Sequence, residues 1–290
     1  MGVKQYGTPI GHKIILTIYK LLGYRFVSFI LNFVALYYVI FTPSIKKSLE
    51  SYYKHLDMKL SYIAYFKHIK LFALSIFDRF ISRIKEDELS FERENREVFL
   101  SLQEGGIVLL SHMGGWATAG YSMKADIPPM NMVMHEATKG NISEVEKSKQ
   151  RQNETNVKII DLNEGAIAAN IQIANALMNK EVVAMMADRI TDPKRVVSVN
   201  FLGSQVEINK NPFDIAHRFK KPLIATFVVL TKEKHYKLIF EKITVDEKSL
   251  EEIAQEYMNI HTKIIKIYPN QWYNFYDFFN PRKIIDVNKQ

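Results

Sequence analysis

The stretch Ile107-Val-Leu-Leu-Ser-His112-Met-Gly-Gly-Trp-Ala117-Thr-Ala-Gly120 decides the fold of this chain. Its first four residues are branched and apolar, which predicts a short buried strand that ends at Ser111. His112 follows at once, and Gly114 and Gly115 then let the backbone pass close to a ligand. A side chain at the carboxyl end of a parallel strand lies where open α/β sheets bind their ligands. The alternative interpretation is that His112 only fills the turn.

Short apolar runs alternate with helical stretches from Glu97 onward, which is the pattern of a parallel sheet with flanking helices. The strands that these runs predict are 107–110, 130–134, 157–161, 182–187, 196–201, 223–230 and 236–241. The predicted helices are 118–124, 142–154, 166–178, 212–219 and 250–267. We therefore expect an α/β fold with a mixed, largely parallel central sheet flanked by helices. An N-terminal helical membrane-docking region precedes it.

The excess positive charge of the chain lies in its N-terminal part. The chain has 39 basic and 31 acidic residues, and positions 1–85 hold 13 of the basic residues but 3 of the acidic ones. This asymmetry indicates an anionic partner for that part: membrane lipid, nucleic acid or an acidic protein. There are no cysteines, which excludes disulfides and thiolate metal sites. We expect a basic, apolar helical region over 1–85 and an α/β domain over 86–290, joined as one continuous structural unit.

Residues 26–43 form an uncharged apolar run at the lower edge of the roughly 20 residues that a bilayer span needs. Three interpretations fit it: a transmembrane span, a helix lying in the membrane interface, or a buried core helix. Ser28 and Asn32 weaken the span, so we favour membrane-surface docking, with the core helix as the alternative. Lysines and aromatic residues interleave after this run, but no nucleic-acid-binding motif accompanies them, so we expect no nucleic-acid partner.

Two more polar clusters follow predicted strands. Asp188 and Arg189 come after an apolar strand, where a carboxylate and a guanidinium can grip a polar substrate. Asn209, Lys210 and Asn211 precede a predicted helix, which we expect Asn211 to cap, and backbone amides at such a helix start bind anions. The plainer interpretations are a salt bridge at the sheet edge and ordinary helix capping. The scattered histidines show no metal-ligand spacing, so we expect no metal site.

Taken in order, these clusters resemble the lysophospholipid acyltransferase superfamily, and within it the bacterial lipid A late acyltransferases and related predicted acyltransferases. The matching segments are Gly7-Thr-Pro-Ile-Gly11, Leu22-Gly23, Phe77-Asp78-Arg79, Ser111-His112-Met-Gly-Gly-Trp116, Ala187-Asp188-Arg189, Phe201-Leu-Gly203, Asn211-Pro212-Phe213 and Gln271-Trp-Tyr-Asn-Phe-Tyr276. The resemblance implies acyl transfer from a thioester, on acyl carrier protein or coenzyme A, to a hydroxyl or amine of an amphiphilic acceptor, a glycolipid or lysolipid. It implies no metal or other cofactor, and a protein at the cytoplasmic face of the inner membrane, peripheral or anchored by its N-terminal region.

The family motif is a histidine followed, after four intervening residues, by Asp or Glu. The resemblance makes His112 the general base that takes the acceptor's proton. The substrate-binding residues that we predict around it are Gly114, Gly115, Trp116, Arg189, Asn209, Lys210 and Asn211. The position of the motif acid holds Ala117, whose methyl group cannot orient an imidazole or stabilise its cation.

Three explanations of Ala117 stay open. The chain is a degenerate member that binds lipid without turnover, or an inactivated variant, or it takes a carboxylate from elsewhere. Asp188 is the leading candidate for that carboxylate, because it follows another strand of the same sheet. Our first hypothesis is an acyltransferase with His112 and Asp188 as its catalytic residues. The alternative is a catalytically impaired or non-catalytic lipid- or acyl-binding member of the same family.

Overall fold

The structure is a computed structural model that describes residues 9–119, 128–134, 157–190 and 192–280. Its strands are β1 (Ser90–Glu94), β2 (Gly106–Gly114), β3 (Met130–Met134), β4 (Val157–Asp161), β5 (Val182–Met186), β6 (Val196–Phe201), β7 (Ser204–Asn209), β8 (Leu223–Lys232) and β9 (His235–Ile243). Its helices are α1 (Pro9–Phe41), α2 (Pro43–His55), α3 (Tyr62–Ile84), α4 (Arg96–Leu100), α5 (Trp116–Ala119), α6 (Ala166–Met178), α7 (Asn211–Phe219) and α8 (Leu250–Ile267). The predicted helix 142–154, and the part of 118–124 beyond residue 119, lie outside the described residues.

The described strands form a seven-stranded sheet in the order β1-β9-β8-β2-β5-β3-β4, and a separate hairpin of β6 and β7. Neighbours in the large sheet run parallel, except for the antiparallel pair β8 and β9. The strands at the centre of the sheet are apolar along their length because helices cover them: β2 is buried at every position except His112. The predicted α/β fold with a mixed, largely parallel sheet is confirmed.

β2 is longer than its sequence pattern predicts. We expected it to end at Ser111, but it continues through His112 to Gly114. Between Leu110 and Gly114 it advances four residues, while β8 advances two, so a bulge interrupts the pairing. His112 therefore lies in the bulge of a strand and not in the turn after it. Bulges redirect side chains and are frequent beside active sites.

Two other strand predictions were wrong. Residues 196–201 were expected in the large sheet, but they pair with β7 in the separate antiparallel hairpin. β7 was not predicted because it holds two separate apolar residues, Val206 and Ile208, and no apolar run. The charged composition of 86–96 predicts a solvated stretch, yet β1 forms there and pairs with β9. As an edge strand, β1 keeps alternate side chains in solvent and so tolerates its charges.

The N-terminal helices pack onto the α/β part. α1 breaks at Gly23, which has a φ of 78°, and then lies along α3. Its buried side carries Tyr24, Val27, Leu31 and Ala35. The opposite side exposes large apolar residues: Leu21, Leu22, Phe26, Phe29, Phe33, Leu36, Tyr37, Ile40 and Phe41.

Among the described helices, α1 is long and apolar enough to cross a membrane over Ile14–Phe41, with a mean hydropathy of 1.7. Because 28% of its most apolar window is buried, α1 is not a fully buried core helix. By length and composition alone this is weak support for an anchor, but the exposed apolar face fits a membrane-docking region. Tyr53 and Tyr65 of the N-terminal helices share one hydrophobic cluster with Ile107. The predicted division at residue 85 stays a prediction.

Candidate active site

His112 and Asp188 face each other across the ends of two adjacent parallel strands. Leu110 of β2 is paired with Met186 of β5, so the residues two places further along reach the same level. The Nδ1 atom of His112 lies 2.8 Å from Oδ1 of Asp188. The imidazole side chain is 23% exposed, whereas the carboxylate is fully buried. The sheet therefore brings together the two residues that the sequence predicts as catalytic.

The Asp188 carboxylate accepts four hydrogen bonds. Besides the His112 ring, its Oδ2 accepts from the His112 backbone N–H at 2.9 Å, from Ser111 Oγ at 3.0 Å and from the indole Nε1 of Trp272 at 2.8 Å. Burial raises the pKa of Asp188, but its interactions with His112 and Arg189 outweigh burial and hold the pKa well below its ordinary value. The carboxylate is therefore ionised.

This charge state fixes the tautomer of His112. An ionised carboxylate can only accept hydrogen bonds, so Nδ1 of the neutral ring carries the hydrogen and Nε2 keeps a lone pair. No described residue forms a hydrogen bond with Nε2. Burial lowers the pKa of His112, and Asp188 opposes but does not cancel that effect. At neutral pH the ring is thus neutral, partly exposed, and able to accept a proton at Nε2.

Close packing explains the two glycines after His112. A Cβ atom on Gly114 would lie 1.9 Å from the carbonyl oxygen of Val228, and Gly114 has a φ of 54°. A Cβ atom on Gly115 would lie 2.3 Å from Cε1 of Tyr236. The Gly115 N–H also donates to the Val228 carbonyl at 2.9 Å, so it has a partner within the protein. A structural need for glycine is therefore clear, while the role of both residues in substrate binding stays a prediction.

The other predicted substrate-binding residues lie around this pair. The Trp116 ring meets the His112 ring edge-on, with centroids 5.8 Å apart. The Arg189 guanidinium donates to the Tyr273 carbonyl and lies 5.9 Å from the Tyr276 ring centroid. The Asn209 N–H donates to the Arg189 carbonyl at 3.2 Å, which ties the loop before α7 to the site.

The loop before α7 differs from its prediction in one respect. Asn211 was expected to cap the helix, but it is the first helical residue, and its N–H donates to Oδ1 of Asn209 at 3.1 Å. The N-cap is Lys210, which makes no side-chain capping bond. The capping prediction for Asn211 was therefore wrong. Substrate binding by Asn209, Lys210 and Asn211 stays a prediction.

Ala117 lies in α5, one turn beyond the bulge that carries His112. Its methyl group offers no acid, and the carboxylate within hydrogen-bond distance of the His112 ring comes from Asp188. Of the three explanations for Ala117, this geometry supports the one in which Asp188 takes over the role. That no metal or other cofactor takes part stays a prediction.

Sequence reasoning missed the residues that hold Asp188. The aromatic composition around Trp272 predicts core closure or a lipid-contacting belt, yet the indole N–H donates a hydrogen bond to the carboxylate. Its backbone pairs with Met113, and the next residue, Tyr273, donates its N–H to the His112 carbonyl at 2.9 Å. The only sequence signal was that Trp272 belongs to the ordered set of matching segments. His261, which contacts Ser111, gave no signal because it is a lone histidine on an amphipathic helix.

A second buried carboxylate, that of Asp78, stabilises the turn that follows His112. Asp78 of α3 accepts hydrogen bonds from the hydroxyls of Tyr24, at 2.8 Å, and Tyr236, at 2.6 Å. Burial raises the pKa of Asp78 to about 6, although the two hydroxyls oppose the change. The Tyr236 ring in turn lies against Gly115. Asp78 thus joins α1 and β9 beneath the site, a structural role for the Phe77-Asp78-Arg79 segment.

Comparison with known proteins identifies the family of the chain. No curated protein matches the chain. The family model for bacterial lipid A biosynthesis acyltransferases matches residues 67–280, which include His112, Asp188 and Trp272. The match covers well over half of the chain, and it confirms the resemblance that the ordered segments indicate. The chain therefore belongs to the bacterial lipid A biosynthesis acyltransferase family.

Proposed function

We propose that this protein transfers a fatty acyl group from an acyl thioester to a hydroxyl or amine of a glycolipid or lysolipid, with His112 as general base. Membership of the acyltransferase family supports the reaction type. One observation carries the assignment of roles: the buried Asp188 carboxylate binds Nδ1 of His112 at 2.8 Å while the ring stays partly exposed. This is the arrangement in which a carboxylate orients an imidazole base.

The first step is attack on the thioester. Nε2 of His112 takes the proton from the acceptor hydroxyl or amine as its oxygen or nitrogen bonds to the thioester carbonyl carbon. Asp188 stabilises the imidazolium that forms. The negative charge moves onto the former carbonyl oxygen, and the Arg189 guanidinium supplies positive charge nearby.

The second step is loss of the thiol. The tetrahedral intermediate collapses, the carbon–sulfur bond breaks, and the imidazolium returns its proton to the departing sulfur. The acceptor leaves acylated and His112 is neutral again, so no covalent enzyme intermediate is needed. Acyl carrier protein and coenzyme A both present such a thioester, and we propose one of them as donor.

We propose that the reaction takes place at the cytoplasmic face of the inner membrane, as the family resemblance implies. Two features of the N-terminal region support a membrane surface. α1 exposes a row of large apolar side chains, including Phe29 and Phe33. The excess of basic over acidic residues in 1–85 suits anionic lipid and an acidic carrier protein.

The test is an assay of the purified full chain in lipid vesicles. Acyl carrier protein or coenzyme A loaded with a labelled acyl chain is the donor, and glycolipids and lysophospholipids are offered as acceptors. We expect labelled lipid product, and loss of nearly all of it in His112→Gln. The exposed histidine of α7 provides the control, because His217→Gln leaves the site untouched. Transfer that survives in His112→Gln would contradict the proposed base.

A second candidate function is binding of lipid or acyl chains without turnover. The observation that favours it is Ala117 at the position of the motif acid. Saturable binding of an acyl chain, with no transfer from either donor to any acceptor, would favour this candidate over the acyltransferase.

A further inference from the structure

His261 lies directly behind the catalytic pair. It belongs to α8, is fully buried, and places its Nε2 atom 2.9 Å from Oγ of Ser111. The same Ser111 oxygen lies 3.0 Å from Oδ2 of Asp188. A continuous line of hydrogen bonds therefore runs from His261 through Ser111 and Asp188 to His112.

The direction of each bond follows from the number of hydrogens available. The Asp188 carboxylate is ionised and can only accept, so the single hydrogen of the Ser111 hydroxyl points to Asp188. The hydroxyl oxygen must then accept from His261, whose Nε2 carries the hydrogen. A neutral imidazole has one N–H, which leaves Nδ1 of His261 bare. That atom is buried and has no hydrogen-bond partner among the described residues, as this tautomer requires.

The surroundings of His261 keep it neutral. Aromatic rings enclose it, with Phe201 and Phe227 stacked at centroid distances of 5.7 and 5.3 Å and Trp272 perpendicular at 5.5 Å. Burial among these rings lowers the pKa of His261 to about 4. A second proton would have to reside on Nδ1, where no described acceptor is available.

We propose that His261 and Ser111 are positioning residues for the catalytic pair. His261 Nε2–H fixes the Ser111 hydroxyl so that its hydrogen points to Oδ2 of Asp188, which leaves Oδ1 to hold His112. Neither residue is within the family's His-x4-acid motif. This inference rests on the proposed function, in which His112 is the base.

We call the hydrogen bonds from His261 through Ser111 to Asp188 the relay. The relay also affects how strongly Asp188 attracts the His112 cation. A carboxylate that accepts a bond from Ser111 has part of its charge satisfied, so removing that donor makes Asp188 a stronger partner for imidazolium. The pKa of His112 should therefore rise when the relay is broken. The titratable and charged groups that face His112 and Asp188 are Arg189, His261, Tyr257 and Tyr276. None of these other than His261 is changed by the variants below.

The first test reads the tautomers and needs no activity. The full chain, labelled with ¹⁵N-histidine and held in detergent micelles, is studied by NMR, with assignments from single His→Gln variants. We expect His261 as the Nε2–H tautomer and His112 as the Nδ1–H tautomer at pH 7.5, with His261 neutral down to pH 5. Finding His261 as the Nδ1–H tautomer, or as a cation above pH 6, overturns the proposal. This result is independent of whether the acyl transfer reaction is confirmed.

The second test compares variants of the relay. Ser111→Ala and His261→Phe remove a donor, whereas His261→Gln keeps an N–H that can reach Ser111. We expect the first two to raise the His112 pKa and to lower kcat on the order of tenfold, the effect typical of a hydrogen bond to a charged group. His261→Gln should restore most of both. Thr262→Val on the same helix is the matched control, because its hydroxyl bonds only to the Met258 carbonyl.

Thermal melting of each variant shows whether it folds, and the NMR titration of His112 is read on the folded protein. If His261→Phe leaves the His112 titration unchanged, or if His261→Gln behaves like His261→Phe, the relay does not exist. A shifted titration in a protein that transfers no acyl group would uphold the relay and refute the proposed function.

Discussion

His112 and Asp188 are 76 positions apart in the chain, yet each lies two residues beyond a paired position of two adjacent parallel strands. Leu110 and Met186 set that register, and the bulge of β2 then turns the imidazole toward the carboxylate. The neighbouring strand thus places a carboxylate beside His112, and we propose that it takes the role of the motif acid that Ala117 lacks. This relationship makes the catalytic hypothesis testable residue by residue.

Replacing Asp188 by Asn should reduce kcat by about 10³- to 10⁴-fold. The amide keeps the size of the carboxylate but holds the wrong tautomer of His112 and cannot stabilise its cation. The rate of acyl transfer in vesicles is the measurement. Glu104→Gln is the control, because Glu104 forms an exposed ion pair with Lys180 and takes no part in the proposed mechanism. An Asp188→Asn protein with a rate within tenfold of the wild type would remove Asp188 from the mechanism.

Replacing Ala117 by Glu, which restores the motif acid, should change the rate of acyl transfer little. In Ala117→Glu, Asp188 already occupies Nδ1 of His112, so a second carboxylate has no free ring N–H to accept. We expect kcat within about threefold of the wild type, since the new group at this half-buried position has no ring N–H left to bind. A large gain in rate, or activity that appears only in Ala117→Glu, would instead identify the natural chain as an inactivated or degenerate member.

The protein should lose stability as the pH falls from about 6.5 to about 4. Burial lowers the pKa of His68 to about 3 and that of His261 to about 4, so the unfolded chain binds these protons first. Each histidine contributes about 1.4 kcal/mol per pH unit in this window. Asp78, whose pKa is raised to about 6, acts in the opposite sense and offsets one of them between about 4 and 6.

Urea unfolding between pH 4 and 8 measures this slope. The Nε2 atom of His68 lies 3.0 Å from the Trp272 carbonyl oxygen, and His68→Gln keeps a donor to it. In this variant the free energy of unfolding should depend less on pH. Stability that stays constant or rises on acidification would show that these histidines are not buried and neutral in the folded state.

Gly115→Ala should destabilise the protein by about 1–3 kcal/mol, the usual result of overpacking. The new methyl group would overlap the Tyr236 ring, and that ring cannot withdraw because Asp78 holds its hydroxyl at 2.6 Å. Calorimetry measures the change, and transfer activity should fall as the turn after His112 shifts. Gly165→Ala is the comparison: open space surrounds that position, so it carries only the strain of a φ of 98°. Equal losses at both positions would mean that Tyr236 does not restrict the turn.

Replacing Phe29 and Phe33 by Ser should weaken binding to vesicles of anionic phospholipid by more than about tenfold. The two rings are 56% and 59% exposed, and each would contribute roughly 1.5–3 kcal/mol on entering an apolar phase. Co-sedimentation with vesicles is the measurement. Ile267→Ser controls for loss of any exposed apolar residue, because Ile267 is 66% exposed on α8. Unchanged vesicle binding in the Phe29, Phe33 double variant would locate the membrane contact elsewhere.

The spacing of apolar residues correctly predicted those strands and helices that carry a clear apolar pattern of their own. Strands β3 and β4 and the helices α6 and α8 follow their patterns to the residue, because short apolar runs and helical spacing are local features of the sequence. β1 was not predicted because an edge strand tolerates charged residues, and β6 was assigned to the wrong sheet because strand pairing depends on residues far apart in the chain. The bulge in β2 also depends on its partner β8, which the local residues do not specify.

The sequence by itself determined the class of fold and the family, and it pointed to His112 as the candidate base. Branched apolar runs, the glycines and the ordered motif segments are local features that can be read without the structure. It also showed that Ala117 cannot supply the motif acid, since a methyl group has no charge or acceptor. Only the tertiary structure decided which carboxylate approaches His112 and what holds it there. Ser111, Asp188, His261 and Trp272 come from four separate segments, and their bonds exist only once β2, β5, α8 and the segment after α8 are packed together.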